Sequence, residues 1–115
     1  MNFLFVLHDP PYGTERVYNG LRWADHVAQR DNEVRVFLFG DAVVAAMAKQ
    51  KTPEGYYNTE KMIASLIRHG GQVGSCTTCL HARGIGEDMI STNTHLSSMS
   101  ELTDWTLWAD KVINV

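Results

Sequence analysis

Two apolar runs constrain the fold more than any other feature of the sequence. NFLFVLH and EVRVFLF, residues 2–8 and 33–39, are rich in Val, Leu and Phe. Such runs are typical of strands that are buried on both faces, as in a parallel sheet covered by helices. The stretch between them repeats apolar residues at helical spacing, at Val17, Leu21, Ala24, Val27 and Ala28. Together these segments predict one βαβ unit, and such crossovers are right-handed.

The remainder of the chain continues the alternation of strands and helices. Asp41 is predicted to cap a short helix over AVVAAMAK, and Asn58 or Thr59 to cap a helix over EKMIASLIRH. The segment KQKTPEGYYN between them has no periodicity and predicts an exposed loop. Further strands are predicted at QVGSC, THLSS and KVINV, with a capping box at SMSE opening a helix before the last. This pattern predicts a single α/β domain over residues 1–115.

Composition and charge exclude several broad functions. The 115 residues are 44% hydrophobic and 20% charged, which is typical of an ordered globular domain. The net charge is −3 and Lys and Arg do not cluster, so we expect no direct binding to nucleic acid. The first apolar run ends at His8, which is too early for a signal peptide or a membrane span. We therefore expect a cytoplasmic protein, away from membranes, with reduced thiols.

The predicted sheet places several polar residues at one edge. Ligands of an open parallel sheet bind outside the carboxyl ends of its strands. His8 and Asp9 follow the first predicted strand, Asp41 follows the second, and Cys76 ends the third. These residues lie along one edge if the three strands are neighbours. For His8 and Asp9, a solvated loop pair remains an alternative to a role in positioning a substrate or a neighbouring subunit.

The two cysteines, Cys76 and Cys79, admit several interpretations. One Cys pair with His81 close by does not give the four spaced ligands of a structural zinc site, so we expect no metal. A thioredoxin-type redox pair fits the spacing and the strand-to-helix position, but the usual active-site turn is missing. A single nucleophilic thiol at a helix start would have a lowered pKa, because free backbone N–H groups and the helix dipole stabilise its thiolate. Alternatively, both thiols are small buried apolar residues.

The run CTTCLHARGI, from Cys76 to Ile85, resembles the DsrE/DsrF-like family. In its sulfur-carrying members, a Cys at the end of a strand is followed by a short helix and an Arg-Gly-aliphatic turn. Cys76 stands at that distance before Arg83 and Gly84, and simpler members share a C-x-x-C-x-x-x-R-G pattern that includes Cys79. The ending SMSELTDWTLWADKVINV also resembles the family's capped helix and last strand.

The resemblance implies a fold, an assembly and an activity. The implied subunit is a three-layer α/β/α domain with a mainly parallel five-stranded sheet, associated into trimers or hexamers. Separately, we expect no cofactor. The implied activity is sulfur transfer, in which Cys76 takes sulfur as a persulfide from a donor protein and passes it to an acceptor. Arg83 and Gly84 would support this site.

Cys79 departs from the pattern of the relay subunits, which have a small apolar residue at its position. Its thiol can assist transfer, or resolve a persulfide on Cys76 by forming a disulfide. Two alternatives stay open: a non-catalytic oligomeric module that binds a small ligand or a partner, and a C-x-x-C thiol/disulfide switch. Separately, Tyr12, Tyr56 and Tyr57 lie in predicted loops and either wall a pocket or pack at an edge.

Overall fold

The computed structural model describes residues 1–115 and alternates five strands with four α-helices. The strands are β1 (Asn2–Leu7), β2 (Glu33–Leu38), β3 (Gln72–Cys76), β4 (His95–Ser97) and β5 (Lys111–Asn114). The α-helices are α1 (Arg16–Ala28), α2 (Thr59–Arg68), α3 (Thr77–Ala82) and α4 (Met99–Trp108). Two 3₁₀-helices cover Gly40–Ala46 and Glu87–Met89. None of the helices combines the length and the apolar character that crossing a bilayer requires.

The five strands form one parallel sheet in the order β4-β3-β2-β1-β5. The chain moves across the sheet in one direction from β1 to β4, then returns through α4 to β5. Right-handed crossovers therefore place α1 and α2 on one face and α4 on the other. Ring contacts agree with this arrangement: Phe5 meets Trp23 of α1, whereas Phe37 meets Trp105 of α4. The α/β class and the five-stranded sheet between helices are confirmed.

The core lies on both faces of the central strands. Leu4, Phe5 and Leu7 of β1 are completely buried, as the first apolar run predicts. Burying a side chain of this size contributes roughly 1.5–3 kcal/mol relative to leaving it exposed. At Gly20 a Cβ atom would lie 2.6 Å from Leu7 Cδ2. The absence of a side chain there lets α1 approach β1 closely and closes the core over that strand.

The helix after β2 differs from its prediction. It is a 3₁₀-helix over Gly40–Ala46, followed by Met47 in an extended conformation, rather than an α-helix over residues 42–49 capped by Asp41. Met47 bridges to Ile90, and this tertiary contact draws the chain out of helical geometry. Asp41 lies within the first turn, and its carboxylate is bonded elsewhere. Gly40 has φ +56°, a conformation that glycine adopts without strain.

The other two predicted N-caps, unlike Asp41, are formed in the structure. Asn58 caps α2, because its side chain accepts a hydrogen bond from the backbone N–H of Lys61. Ser98 caps α4 in the same way, accepting from the backbone N–H of Glu101. The reciprocal half of the predicted capping box is wrong, since the Glu101 carboxylate binds side chains of β4 instead.

Candidate functional site

Because β1, β2 and β3 are neighbours, the segments that follow them meet at one edge of the sheet. His8 and Asp9 at this edge are engaged in local structure. His8 Nε2 lies 3.0 Å from Asn114 Oδ1 of β5. Asp9 accepts a hydrogen bond from Thr14 and lies 3.7 Å from the guanidinium of Arg16. Neither residue contacts the cysteine pair.

Cys76 and Cys79 meet across the first turn of α3. Cys76 is the last residue of β3 and the N-cap of α3, and its Sγ accepts a hydrogen bond from the backbone N–H of Cys79 at 3.4 Å. The Cys79 thiol donates to Cys76 Sγ, so the two sulfur atoms are in direct contact, and both cysteines are free. The Thr78 hydroxyl lies 3.3 Å from Cys76 Sγ. The C-x-x-C spacing therefore concentrates hydrogen-bond donors on one sulfur atom.

These contacts lower the pKa of Cys76. Burial raises the pKa of this thiol, because a thiolate loses solvation inside the protein. Hydrogen bonds from the side chains of Cys79 and Thr78, together with their backbone N–H groups, outweigh that effect. The pKa of Cys76 consequently lies below that of an ordinary thiol, and its thiolate is favoured.

The pKa of Cys79 shifts in the opposite direction. Burial and the neighbouring Cys76 sulfur raise the pKa of Cys79. The backbone N–H of Gly40, 3.3 Å from Cys79 Sγ, and the charge of Arg83 offset this only in part. The pair thus combines one thiol with a lowered pKa and one with a raised pKa, and this difference favours the thiolate at Cys76 rather than at Cys79.

Arg83 connects the end of α3 to the first 3₁₀-helix. Its guanidinium donates to Asp41 Oδ1 at 2.6 and 3.0 Å and to the carbonyl oxygen of Cys79 at 2.9 Å. Asp41 is more than half exposed, so this ion pair contributes little to stability. Gly84 follows with φ +69°, a conformation that suits glycine at the end of a helix. Arg83, Asp41 and Gly84 therefore fix the position of α3 and its two thiols.

A cavity of about 410 Å³ opens beside Cys76. Its volume falls in the range of small-molecule sites, and only the more acidic cysteine contributes to its wall. Apolar groups and hydroxyl groups share the lining, which comprises Phe37, Phe39, Cys76, Thr77, Thr78, Ser97, Ser98 and Met99. Cys76 is the one cysteine among these lining residues, and it is buried, with a relative exposure of 7%.

A polar cluster behind the cavity involves residues that the sequence did not indicate. Ser97 is the partner of Cys76 in the ladder between β3 and β4. Its hydroxyl donates to Glu101 Oε1 at 2.5 Å, and His95 Nε2 lies 2.5 Å from the same oxygen. Burial raises the pKa of Glu101, but bonds from Ser97 and His95 and the charges of His95 and Arg35 lower it overall. The sequence signal for this cluster is the spacing of His95 and Ser97, which places both side chains on the same face of β4.

No group of three or more His, Cys, Asp or Glu side chains is arranged to hold a metal ion. His81, the histidine nearest to the cysteines in sequence, is exposed on α3. The site consists instead of a thiol pair, a cavity and the groups that position them.

Comparison with known proteins gives matches that cover the chain. The DsrE/DsrF-like family model matches residues 1–115. Protein YchN of Escherichia coli K12 is 36% identical over 112 residues, which are 96% of this chain and 95% of YchN. The uncharacterised protein MK0008 of Methanopyrus kandleri is 32% identical over 94% of this chain and 88% of its own.

Solved structures agree with these matches. The crystal structure of the E. coli ychN protein superimposes with a TM-score of 0.93 at 34% identity, covering 100% of this chain and 99% of that one. The protein of unknown function MTH1491 from Methanobacterium thermoautotrophicum gives a TM-score of 0.76 at 12% identity, covering 99% and 97% of the two chains. The second likeness concerns the fold alone.

Proposed function

Because the chain belongs to the DsrE/DsrF-like family, which is associated with sulfur relay, we propose that it carries sulfane sulfur as a persulfide on Cys76. The observation that carries this proposal is the asymmetry of the thiol pair. Cys76 has a lowered pKa and lines a cavity, whereas Cys79 has a raised pKa and does not line it. Thiolates, not thiols, attack sulfur, so this asymmetry favours one carrier atom.

Loading begins with attack of the Cys76 thiolate on the outer sulfur of a donor hydropersulfide, R–S–SH. The Cys76–sulfur bond forms as the donor's S–S bond breaks, giving Cys76–S–SH and the thiolate R–S⁻, which then takes up a proton. Unloading repeats this exchange with an acceptor thiolate, which removes the outer sulfur and regenerates the Cys76 thiolate. No net oxidation occurs, because each step exchanges one S–S bond for another.

Cys79 determines how long a persulfide survives. A Cys79 thiolate that attacks Cys76 Sγ would form the Cys76–Cys79 disulfide and release hydrosulfide. The raised pKa of Cys79 keeps this thiol protonated and slows the release. While protonated, Cys79 donates to Cys76 Sγ and so assists the carrier sulfur. Arg83, Asp41 and Gly84 support the transfer by holding α3 in place.

The family resemblance supports the assembly and the protein partners in this proposal, and the charge and composition of the chain support the rest. The subunit assembles into homo-trimers or homo-hexamers, takes sulfur from a donor protein and delivers it to an acceptor protein. It acts in the cytoplasm, without a cofactor and without direct contact with nucleic acid or membrane. His8 and Asp9 at the sheet edge position a substrate or a neighbouring subunit.

Intact-mass analysis after incubation with a sulfane-sulfur donor tests the carrier role. Wild type and Cys79→Ser are expected to gain the mass of one sulfur atom, removable by dithiothreitol, while Cys76→Ser gains none. Cys79→Ser is the matched control, because it removes the other thiol from the same turn. Equal loading of Cys76→Ser, or no loading of wild type, would contradict the proposal.

A thiol/disulfide switch is a second candidate, favoured by the direct contact between the two sulfur atoms. The same experiment separates it from the carrier. A switch predicts loss of two hydrogen atoms from wild type, abolished by either substitution, without addition of sulfur. A protein that neither gains sulfur nor loses hydrogen would be assigned to the third class, a ligand-binding module.

A further inference from the structure

A second cavity, of about 480 Å³, lies between two loops and shares no residue with the cavity beside Cys76. One loop follows β1, and the other precedes α2. Its volume lies within the usual range for small-molecule sites. Three tyrosines contribute to the wall, which is formed by Tyr12, Lys51, Thr52, Pro53, Tyr56 and Tyr57.

Two of these tyrosines, Tyr12 and Tyr57, belong to a row of stacked rings that ends at this cavity. Tyr57 lies in the middle, with its ring centre 4.2 Å from that of Tyr18 and 5.1 Å from that of Tyr12. The guanidinium of Arg22 lies over the Tyr18 ring at the other end of the row. Tyr12 ends the row on the cavity side and is 50% exposed. A planar ring placed against Tyr12 would extend the stack by one member.

Hydrogen bonds hold the wall in place before any ligand arrives. The Tyr12 hydroxyl accepts from the backbone N–H of Thr59, and Gln50 Oε1 and the carbonyl oxygen of Tyr57 lie within reach of its proton. The Gln50 amide donates to the carbonyl oxygens of Ala45 and Met47. A site that is built in advance loses less conformational entropy on binding.

The charged group at the cavity is a cation without a partner. Lys51 is the only charged residue in the lining, and no carboxylate lies within ion-pair distance of it. Tyr56 on the same wall is 72% exposed, and its hydroxyl makes no hydrogen bond within the protein. The wall therefore offers an aromatic face, a free phenol and a free positive charge.

We propose that this cavity binds a small planar aromatic molecule that carries an anionic group. The ring stacks on Tyr12 and contacts Tyr56, and the anion lies beside Lys51. Aromatic rings attract each other in offset stacks beyond what burial contributes, and an unpaired ammonium group favours an anionic ligand over its neutral analogue. This site is independent of the thiols and of the sulfur chemistry proposed for them.

Three matched probes test the proposal by two-dimensional ¹H–¹⁵N NMR of the full chain. 2-Naphthoate is planar and anionic, 2-naphthamide is planar and neutral, and decahydro-2-naphthoate is anionic with a saturated skeleton. We expect 2-naphthoate to give saturable shifts in the amides of Tyr12 and of residues 51, 52 and 54–57, and to bind more tightly than either analogue. The absence of saturable shifts, shifts centred elsewhere, or equal binding of all three probes would overturn the proposal.

Two exposed substitutions assign the contacts without endangering the fold. Lys51→Gln is expected to weaken the binding of 2-naphthoate about two- to fivefold and to leave the affinity for 2-naphthamide unchanged. Tyr56→Ala is expected to weaken the binding of both planar probes about two- to tenfold. Lys61→Gln, which removes an exposed cation from α2, and Leu107→Ala, which removes an exposed side chain from α4, are the controls. Equal effects of Lys51→Gln and Lys61→Gln would refute the role of Lys51.

Discussion

Replacing Cys79 with Ala tests the cause of the acidity of Cys76. The substitution removes the thiol that donates to Cys76 Sγ and leaves the backbone N–H of residue 79 in place. Burial by itself raises the pKa of Cys76, and the side-chain bond from Cys79 is the largest effect opposing it. Cys79→Ala is therefore expected to raise the pKa of Cys76 and to reduce its thiolate population at neutral pH.

The size of the effect follows from the strength of that hydrogen bond. A bond to a charged acceptor contributes about 1.5–3 kcal/mol, and a thiol is a weak donor, so the lower value applies. Since about 1.4 kcal/mol corresponds to tenfold in an ionisation equilibrium, the ionisation constant of the Cys76 thiol should fall about tenfold. A more basic thiolate is also more nucleophilic, with a Brønsted coefficient of about 0.4–0.5. At a pH where the thiol form predominates in both proteins, the alkylation rate should therefore fall about three- to fourfold.

The assay is the rate of iodoacetamide labelling of Cys76, followed by peptide mapping from mildly acidic to alkaline pH. Cys79→Ser is the control, because its hydroxyl still donates to Cys76, so its profile should stay near that of wild type. Cys79→Ala should move the midpoint of the profile to higher pH. An unchanged midpoint and rate in Cys79→Ala would refute the reasoning and would assign the acidity of Cys76 to its backbone donors.

Three further substitutions test the surrounding structure. Asn58→Ala removes the cap that accepts from Lys61, and should lower the free energy of unfolding by about 1 kcal/mol in urea titrations, with an unchanged slope. Trp105→Ala deletes a buried ring in contact with Phe37 and should lower the free energy of unfolding by about 3–5 kcal/mol. A decrease below about 1 kcal/mol in the same urea titrations would contradict the place of Trp105 in the core. Glu101 has a lowered pKa in the folded state, so its stabilisation is present above about pH 4.3 and is lost as the pH falls through its folded pKa. Glu101→Gln should therefore be less stable than wild type at neutral pH and approach it in acid, as followed by urea unfolding at several pH values.

Local sequence patterns predicted most of the elements because their causes are local. The apolar run at Leu4–Leu7 is buried as one strand. Asn58 caps α2, which begins at the next residue. The length and type of the helix at Gly40–Ala46 were wrong, because Met47 leaves it to pair with Ile90. A contact between segments so distant in the chain leaves no periodic signal in either.

The candidate site was predictable to the same extent. The spacing of Cys76 and Cys79 and their strand-to-helix position fitted a pair of interacting thiols, and the strand assignment put Cys76 at the carboxyl edge of the sheet. The spacing of His95 and Ser97 puts both side chains on one face of β4, but the sequence did not indicate that they bind Glu101. The capping-box pattern predicted that the Glu101 carboxylate accepts a hydrogen bond from the backbone at the start of α4. In the structure β4 pairs with β3, and Ser97 and His95 of β4 bind this carboxylate instead.

The return of the chain from β4 to β5 has a consequence for the order of folding. Asn2 and Asp110, which join β1 to the start of β5, are 108 residues apart, whereas the contact of Met1 with Asn32 beside β2 closes a loop of 31 residues. Closing the longer loop in an otherwise unfolded chain costs about 1 kcal/mol more in entropy. Folding should therefore nucleate in the β1–α1–β2 unit and add β5 last. Until then one edge of β1 remains unpaired, and intermediates that lack β5 present that edge to other chains.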